Sequence, residues 1–485
     1  MPGGRNVKEY RNFIGGQWVA PESGSTIDIR DPGDQSVLLG RFPGGGKADA
    51  ERAIAAAVES AAGWARTPLS IRAAILTKFA DLLEAQSEDV ATILTREEGK
   101  ILSESRGEVA RAVAETRFMA GEVFRTTGEH FPSEKPGGEV IRRRVPLGPV
   151  GVITPWNFPV VSPVRKISPA LAYGDTVVFK PASLTPWTAL RLTELYEEAG
   201  VPAGVLNTVI GSGREVGDTI VGSPLIRGIT FTGSTGVGRL IFANSARTLT
   251  KVQLEMGGKN AALVYDAEDL EVAAREIVSA AYSSTGQRCT AISRVVVSDE
   301  EHDELVERIK ELAEQVIVGY GLDTEVQMGP LVSREQLETS ERYVEQAVRD
   351  GARVVCGGSR VDVGRDGFYY AATVMDAVAP ESALAREEVF GPVLAVLRAS
   401  SFEEGTHICN ATAYGLAACV FTKSLARARG FVAEVDSGMV HVNHGTASQP
   451  HIPFGGSKES GYGSFSIGPT AQDFYLADKI VYYPG

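Results

Sequence analysis

One of the four cysteines in the sequence lies in a segment suited to chemistry. Cys289 belongs to the polar stretch Ser284–Thr290, which falls between a predicted helix and a predicted strand. A cysteine on such a loop is accessible, and the neighbouring guanidinium of Arg288 favours the thiolate, which is the nucleophilic form of the side chain. A solvated loop cysteine without a function is the alternative interpretation. The other three cysteines stand among apolar residues and are expected to pack in the core; they are Cys356, Cys409 and Cys419.

Two further segments carry polar side chains that could assist a nucleophile. Glu255 stands beside two glycines at the end of a predicted strand, and its carboxylate could activate water if the fold brings it near Cys289. Asn157 stands in the turn Thr154–Pro159, where a rigidly held amide could donate a hydrogen bond to a developing oxyanion. Both segments are also typical of ordinary turns, because Asn, Gly and Pro are common turn residues.

A glycine-rich turn, Phe231–Gly238, follows one predicted strand and opens a predicted helix. Backbone N–H groups at a helix N-terminus can bind a phosphate, and glycines allow a close approach. The glycines follow the order G-x-x-G-x-G, whereas the usual dinucleotide fingerprint is G-x-G-x-x-G. On spacing alone, a phosphate site and a tight strand-to-helix turn are equally good interpretations.

Strands and helices alternate around these segments. Helices are predicted over 70–96, where apolar residues recur with helical spacing, and over Pro186–Ala199, which is followed by Gly200. The predicted strands of this first series are Val150–Ile153, Thr176–Phe179, Leu206–Ile210 and Ile229–Thr232. Such alternation predicts parallel crossovers and therefore a doubly wound α/β domain.

A second α/β series runs from about residue 253 to residue 440. Its helices are predicted near 268–284, 299–316 and 333–350. Its strands are predicted near 294–297, 393–397, 417–421 and 438–442. Between the two ends of the chain, the segment 128–140 is rich in Gly, Pro and charge and predicts a loop or hairpin. The tail Lys479–Tyr483 predicts a short strand that pairs with another segment or subunit.

Composition limits the class of protein. The 485 residues suffice for two or three domains, and a formal charge of −13 disfavours nucleic acid and anionic membranes as partners. No apolar stretch approaches the roughly 18 residues of a membrane span, and Met1–Arg5 lacks a signal-peptide core. The cysteines show no paired spacing, and the histidines at 441, 444 and 451 do not have the spacing of metal ligands. We therefore expect a cytoplasmic protein without disulfides or a metal site.

Seven segments, in this order along the chain, resemble the aldehyde dehydrogenase superfamily. Four of them are the segments described above, around Asn157, Phe231–Gly238, Glu255 and Cys289. The other three are Phe179–Ser183, Glu387–Pro392 and Pro453–Gly461. The resemblance extends from about residue 13 to the C-terminal strand, and the seven segments in register are highly specific.

This resemblance implies an α/β aldehyde dehydrogenase-like fold in three parts. Residues 1–127 and 145–252 would form a Rossmann-type NAD(P)-binding domain, and residues 253–445 an α/β catalytic domain. Residues 128–144 and 465–485 would form a small β element for oligomerisation, so a homodimer or homotetramer is expected.

The resemblance also implies a mechanism. The thiolate of Cys289 attacks an aldehyde, and the oxyanion of the thiohemiacetal is stabilised by Asn157 and the backbone N–H of Cys289. A hydride then passes to the nicotinamide and leaves a thioester. Glu255 activates the water that releases the carboxylate. This order is physically reasonable, because the thiol converts the aldehyde into a tetrahedral adduct that can expel hydride.

Lys180 matches the family's lysine on the adenosine ribose, and Glu388 its carboxylate on the nicotinamide ribose. Many NAD-preferring members have Glu at the position of Ser183, where it would repel a 2′-phosphate, so we expect NADP to be accepted beside NAD. The implied cofactor-binding residues are Ile153, Thr154, Pro155, Trp156, Lys180, Ala182, Ser183, Gly213, Gly217, Phe231, Thr232, Gly233, Ser234, Val237, Gly257, Glu388 and Phe390.

The implied substrate is an anionic semialdehyde, especially 2-oxoglutarate semialdehyde, with Arg288 as the partner of its anion and with Thr290 and His444 beside it. The stretch Tyr462–Gly468 lacks the Arg-Glu pattern expected in that branch, and His444 is unexpected there. Aromatic aldehydes, succinate semialdehyde and the non-phosphorylating oxidation of glyceraldehyde 3-phosphate therefore stay open. A cofactor-independent cysteine esterase, a CoA-acylating member and a fold that has lost its chemistry are the rival classes.

Overall fold

The computed structural model describes residues 8–126 and 128–485. The expectation about a signal peptide in Met1–Arg5 lies outside the described residues, as do both outer bounds of the range 1–127. No helix in the described part of the chain is long and apolar enough to cross a membrane.

The strands of the described residues fall into two large sheets and three small ones. In chain order they are β1 (Asn12–Ile14), β2 (Gln17–Val19), β3 (Thr26–Asp31), β4 (Asp34–Pro43), β5 (Glu129–Pro132), β6 (Glu139–Pro146), β7 (Pro149–Ile153), β8 (Thr176–Lys180), β9 (Leu206–Thr208), β10 (Gly228–Thr232), β11 (Lys251–Glu255), β12 (Asn260–Val264), β13 (Ile292–Ser298), β14 (Arg353–Cys356), β15 (Thr373–Asp376), β16 (Val393–Ala399), β17 (Tyr414–Gly415), β18 (Ala417–Phe421), β19 (Met439–Val442), β20 (Ser457–Lys458), β21 (Gly461–Tyr462) and β22 (Leu476–Tyr483).

The helices cover both faces of the large sheets. They are α1 (Lys47–Ala65), α2 (Leu69–Ala85), α3 (Ser87–Glu98), α4 (Leu102–Glu122), α5 (Val161–Tyr173), α6 (Pro186–Ala199), α7 (Asp218–Gly222), α8 (Thr235–Ser245), α9 (Leu270–Tyr282), α10 (His302–Glu314), α11 (Arg334–Arg349), α12 (Ala383–Arg386), α13 (Phe402–Asn410), α14 (Leu425–Glu434) and α15 (Gln472–Tyr475). Short turns of other helix types occupy Val123–Arg125, Gly213–Gly217, Ser283–Gly286 and Gly468–Ala471.

The first large sheet has the order β2-β1-β9-β8-β7-β10-β11-β21, and its five central strands from β9 to β11 are parallel. Helices α2, α4, α5 and α6 pack on one face, where Phe179 and Val177 of β8 point. Helices α1, α7 and α8 pack on the other face, against Val178 and Ile229. The predicted doubly wound α/β arrangement is confirmed.

The second large sheet has the order β14-β15-β16-β13-β12-β18-β19, with only β14 antiparallel. Its core strands are buried on both faces, as expected for parallel strands between two helix layers. Helices α9 and α10 cover one face, and α11 to α14 the other.

A separate three-stranded sheet joins the predicted hairpin to the chain end, in the order β22-β6-β5. β22 pairs antiparallel with β6 from Leu476 opposite Pro146 to Tyr483 opposite Glu139. The tail thus pairs with another segment of the chain, as predicted. The basic run 142–144 lies in β6, where Arg142 pairs with Glu129 and Asp478.

In the first α/β series, two predicted elements differ from the structure by a break or by more than one residue at an end. The helix predicted over 70–96 is two helices, because the backbone at Gln86 (φ −109°, ψ 20°) leaves the helical region between α2 and α3. Both helices turn their apolar faces toward the same core, so apolar spacing alone does not reveal the break. The strand predicted over Leu206–Ile210 ends at Thr208, where its pairing with β8 ends.

The contrast between two residues of α2 gives a test of the packing. Phe79 is fully buried and its ring stacks on Tyr196 with 3.6 Å between centroids, whereas Ile71 is 50% exposed. We expect Phe79→Ala to lower the free energy of unfolding by about 3–5 kcal/mol, because it leaves a cavity in a close-packed core. The control Ile71→Ala changes it by less than about 1 kcal/mol. Urea unfolding measures both values, and equal losses would contradict this account of α2.

Candidate active site

The candidate site is a cavity of about 270 Å³ between the two large sheets. Residues of the first sheet that end or follow β7, β10 and β11 line one part of it. From the second sheet it receives residues that precede β13 and β16. The predicted site residues on its wall are Pro155, Trp156, Asn157, Thr232, Gly233, Ser234, Glu255, Gly257, Cys289, Thr290, Glu388 and Phe390. Segments far apart in the chain therefore meet in one place.

The loop before Cys289 has a strained backbone. Ser284 and Thr285 have φ angles of 53° and 58°, in the left-handed region that costs roughly 1–2 kcal/mol for residues with a Cβ. Contacts from outside the loop hold this conformation: Glu104 Oε1 accepts a hydrogen bond from Ser284 N at 2.7 Å, and Thr285 Oγ1 donates to Gly329 O at 3.0 Å. The turn reverses the chain after α9 and brings Cys289 to the cavity.

Cys289 is half-buried on the cavity wall. Burial raises the pKa of its thiol to about 12, and the carboxylates of Glu255 and Glu388 act in the same direction. Arg165 and Arg288 lower the pKa, as the sequence predicted for Arg288, but their effect is smaller. The predicted direction of the Arg288 effect is present, but desolvation of the charged sulfur outweighs the nearby guanidinium groups.

Glu255 is the last residue of β11 and lies within a cluster of donors. Its Oε2 accepts from Thr232 Oγ1 at 2.6 Å and from Lys166 Nζ at 3.4 Å, and its Oε1 accepts from Ser466 Oγ. Burial by itself would raise the pKa of this carboxyl, but Lys166, Arg165 and the hydroxyls together hold it below its usual value. Glu255 is therefore ionised at neutral pH and can accept a proton.

Asn157 follows β7 and is buried against the loop of Cys289. Its Nδ2 donates to the carbonyl of Gln287, two residues before the nucleophile, at 2.8 Å. A side-chain amide has two N–H donors, so this bond fixes the amide and leaves one donor for a second acceptor. Asn157 and Cys289 both line the cavity, and a carbonyl oxygen there can receive that second N–H.

At the adjoining ends of β7, β8 and β10, two buried polar groups lack a strong partner. Ile153 pairs with Lys180 on one side and with Phe231 on the other, so these strand ends form one edge. The amine of Lys180 donates only to Pro181 O among the described residues, and burial lowers its pKa to about 8. Thr154 Oγ1 is buried without a hydrogen-bond partner in the part of the chain that the structure describes. Such groups fit a ligand that supplies hydroxyl oxygens.

Beside this edge, α8 begins without a side-chain cap. Ser234 is the residue before its first turn and makes no capping hydrogen bond, so the first N–H groups of the helix are free for an anion. At the facing turn, Ser183 Oγ donates to Gly211 O at 3.0 Å. The edge formed by the ends of β7, β8 and β10 fits the ribose of a dinucleotide, and the uncapped N-terminus of α8 fits its diphosphate.

A further carboxylate, that of Glu388, lies on the cavity wall. Glu388 Oε1 accepts from Gly258 N at 2.8 Å, and burial raises the pKa of its carboxyl to about 7. A Cβ at position 257 would displace this carboxylate from its present position, so Gly257 leaves room for Glu388. Phe390 meets Trp156 edge to face, with 5.4 Å between ring centroids. A buried carboxylate beside an aromatic wall fits the nicotinamide ribose of the same dinucleotide.

Not every predicted residue lies on the cavity wall. The guanidinium of Arg288 points back to α9, where it donates a hydrogen bond to Ala280 O at 3.1 Å. The ring of His444 forms a hydrogen bond through Nδ1 with Gly445 O and packs on His441. Neither side chain lines the cavity; Arg288 Nη2 is turned to α9, and its Nε is buried without a partner among the described residues. The predicted cofactor residues on the adjoining strand and helix ends are Ile153, Thr154, Lys180, Ala182, Ser183, Gly213, Gly217, Phe231 and Val237.

Sequence reasoning missed two arginines on the cavity wall, Arg111 of α4 and Arg165 of α5. Both contact one carboxylate: Glu115 lies 2.7 Å from Arg165 Nη2 and 2.9 Å from Arg111 Nε. Arg111 Nη2 is buried without a partner among the described residues. The pair Arg165-Lys166 in a helix with no other charged residue was a usable signal, since charged side chains are seldom buried without a partner. Nothing around Arg111 distinguishes it from the other charges of α4.

Comparison with known proteins agrees with this geometry. The Aldehyde dehydrogenase family matches residues 18–481. The chain is 40% identical over 476 residues to an alpha-ketoglutaric semialdehyde dehydrogenase of Bacillus subtilis, covering 98% of each chain. Betaine aldehyde dehydrogenase from Staphylococcus aureus, solved in complex with NAD+, superposes with a TM-score of 0.95 at 33% identity, covering 98% of this chain and 95% of that one.

A solved NADP-dependent enzyme of E. coli has the same TM-score of 0.95 at 34% identity, covering 98% of both chains. The family match and these relatives span nearly the whole length of the sequence. The chain therefore belongs to the aldehyde dehydrogenase family, whose enzymes use NAD(P).

Proposed function

We propose that this aldehyde dehydrogenase oxidises an anionic semialdehyde, such as 2-oxoglutarate semialdehyde, to the carboxylate through a thioester on Cys289. One observation carries the choice of substrate: the cavity that Cys289 lines also contains two arginines, Arg111 and Arg165, that share a single carboxylate. This pair replaces Arg288 and His444 as the proposed partners of the substrate anion. Thr290 remains on the cavity wall beside the nucleophile.

Charge balance supports an anionic substrate. The two guanidinium groups share the single carboxylate of Glu115, whereas Glu255 on the same cavity wall pairs with Lys166. Burial, together with the like charge of Arg165, lowers the pKa of Arg111 below its usual value. The free Nη2 of Arg111 lacks an acceptor among the described residues. A carboxylate at the far end of a semialdehyde supplies both the missing charge and the missing acceptor.

The proposed reaction assigns one step to each catalytic side chain. The Cys289 thiol releases its proton to solvent water and its sulfur bonds to the aldehyde carbon, while Asn157 donates its free N–H to the oxyanion. When bound, NAD(P) accepts the hydride that leaves this carbon. Glu255 then removes a proton from a water molecule, the water oxygen bonds to the thioester carbon, and the carbon–sulfur bond breaks to release the carboxylate.

The neighbours of Glu255 suit this role. Thr232, Ser466 and Lys166 hold its carboxylate in the ionised form that the hydrolysis step needs. Because Glu255 is kept as a base, hydrolysis of the thioester is favoured over transfer of the acyl group to CoA. Water, and not a second thiol, is then the acceptor of the acyl group. A cofactor-independent esterase would not need the buried polar groups of Lys180 and Thr154, which argues against that alternative.

For the cofactor, we propose that NADP is accepted beside NAD. Ser183 carries no charge, and its hydroxyl is turned to Gly211 O, so no carboxylate opposes a 2′-phosphate at this position. The domain division stated from the sequence is retained as a proposal, with the eight-stranded sheet as the NAD(P)-binding unit and the seven-stranded sheet as the catalytic unit.

The oligomeric state and location are likewise proposals. The sheet β22-β6-β5 leaves both outer strands with an open edge and exposes Ile480, Tyr482 and Tyr483. Open edges with apolar side chains favour pairing with another subunit, which supports a homodimer or homotetramer. The four cysteines are free thiols, which supports a reducing compartment, the cytoplasm.

The first test separates oxidation from hydrolysis. In Glu255→Gln the base is lost, but Cys289 and Asn157 stay, so a burst of one reduced cofactor per active site should precede slow turnover. Steady-state kcat should fall by about 100-fold or more. Stopped-flow absorbance of the reduced nicotinamide measures both phases, and Cys289→Ala serves as the control without a burst. Full steady-state turnover in Glu255→Gln would remove this residue from the mechanism.

The second test concerns the substrate anion. Arg111→Met should raise KM for 2-oxoglutarate semialdehyde by about 10- to 100-fold, since a charge-assisted hydrogen bond contributes roughly 1.5–3 kcal/mol. The same variant should oxidise an uncharged aldehyde with unchanged KM. Arg106→Met, on the solvent side of α4 where it pairs with Glu88, is the matched control. Equal losses with charged and uncharged aldehydes would argue against an anion site at Arg111.

The third test concerns the cofactor. Ser183→Glu places a carboxylate where the 2′-phosphate is proposed to lie, so kcat/KM for NADP should fall at least about tenfold while that for NAD is kept. Initial rates with both cofactors on the same preparation give this ratio. A hundredfold preference of the unmodified enzyme for NAD would contradict the proposed acceptance of NADP.

A further inference from the structure

The segment between α3 and α4 carries a buried lysine whose contacts reach the loop of Asn157. Lys100 is 1% exposed, and its Nζ donates to the backbone carbonyl of Asn157 at 2.6 Å and to Glu108 Oε2 at 2.8 Å. The same ammonium lies 4.1 Å from the centre of the Phe158 ring. One cation therefore contacts both the residue that carries the proposed oxyanion donor and the residue after it.

Glu108, on α4, holds the other end of the same loop. Its Oε1 accepts from Val160 N at 2.8 Å and from Val161 N at 2.9 Å, where the loop turns into α5. Its second oxygen holds Lys100. A single buried ion pair thus fixes the loop at both ends through charge-assisted hydrogen bonds to the main chain.

The same helix also reaches the loop of the nucleophile. Glu104, one turn before Glu108, accepts the hydrogen bond from Ser284 N in the strained turn before Cys289. The amide of Asn157 completes the connection through its bond to Gln287 O. The distance between the proposed oxyanion donor and the sulfur therefore depends on α4, which touches both loops.

Stability alone does not account for this arrangement. Apolar residues of similar volume often stabilise a core as well as a buried ion pair does, because two charges must lose their hydration. Burial by itself would lower the pKa of Lys100, but Glu108 and Glu98 hold it above its usual value, so the ammonium stays charged. The charged pair makes directed hydrogen bonds to the backbone around Asn157, which apolar residues could not make.

We propose that Lys100 and Glu108 are positioning residues for the oxidation step, which hold the free N–H of Asn157 where the oxyanion of the substrate develops. They act through Asn157 and do not line the cavity themselves. The inference rests on the proposed role of Asn157 as oxyanion donor. A displacement of about 1 Å in a reacting geometry can cost on the order of 100-fold in rate, so loss of the pair should reach kcat directly.

The test uses Lys100→Met and Glu108→Gln in the full-length enzyme. Both variants should lower kcat for semialdehyde oxidation by about 10- to 100-fold. The dissociation constant of NADP and the rate at which iodoacetamide alkylates Cys289 should not change, since neither depends on the oxyanion. Glu301→Gln is the matched control: its carboxylate also accepts two consecutive backbone N–H groups, from Asp266 and Ala267 at 2.7 Å each, away from the cavity. Unchanged kcat in both variants would overturn the inference.

A double-mutant cycle then identifies the route of the effect. In an Asn157→Ala background, Lys100→Met should cause no further loss of kcat, because the group that it positions is gone. Equal losses in both backgrounds would overturn the positioning role and leave the proposed function intact. Full kcat in Asn157→Ala alone would instead defeat the oxyanion role itself. If thermal unfolding shows that Lys100→Met is not folded, the same cycle with Glu108→Gln decides the question.

Discussion

The site depends on buried positive charges that compensate buried carboxylates beside a cysteine. Helix α5 is buried along its whole length and supplies two of these charges at adjacent positions. Successive helix residues project about 100° apart, so Arg165 reaches Glu115 while Lys166 reaches Glu255. Without these cations, burial would raise the pKa of Glu255. The result is an ionised base and a neutral thiol on the wall of one cavity.

The two large sheets bring these groups together from opposite ends of their strands. The first sheet contributes its carboxyl ends, where parallel strands ordinarily bind ligands, and the second contributes the loops that lead into its strands. Those loops hold Ser284, Thr285 and Phe390 in left-handed conformations. Such strain persists only where the surroundings fix it, and here the carboxylate of Glu104 on α4 and the carbonyl of Gly329 do so.

The sequence predicted the alternation of strands and helices because apolar periodicity is a local property. It predicted Pro186–Ala199 with its bounds and the doubly wound arrangement of the first sheet. It did not reveal the break at Gln86, since the apolar faces of α2 and α3 meet the same core on both sides of it. The sequence also predicted correctly that Arg288 lowers the pKa of the Cys289 thiol. It could not show that burial of Cys289 raises this pKa by more.

By itself the sequence determined the family, the order of elements and the identity of Cys289, Glu255 and Asn157 as candidate catalytic residues, because short motifs and spacing are written along the chain. Only the tertiary structure decided which charges surround them. Arg111 and Arg165 stand 54 residues apart on two helices and meet at one carboxylate, whereas Arg288, next to the cysteine in sequence, points away from the cavity. Side-chain direction and desolvation depend on packing between distant segments, and no local pattern records them.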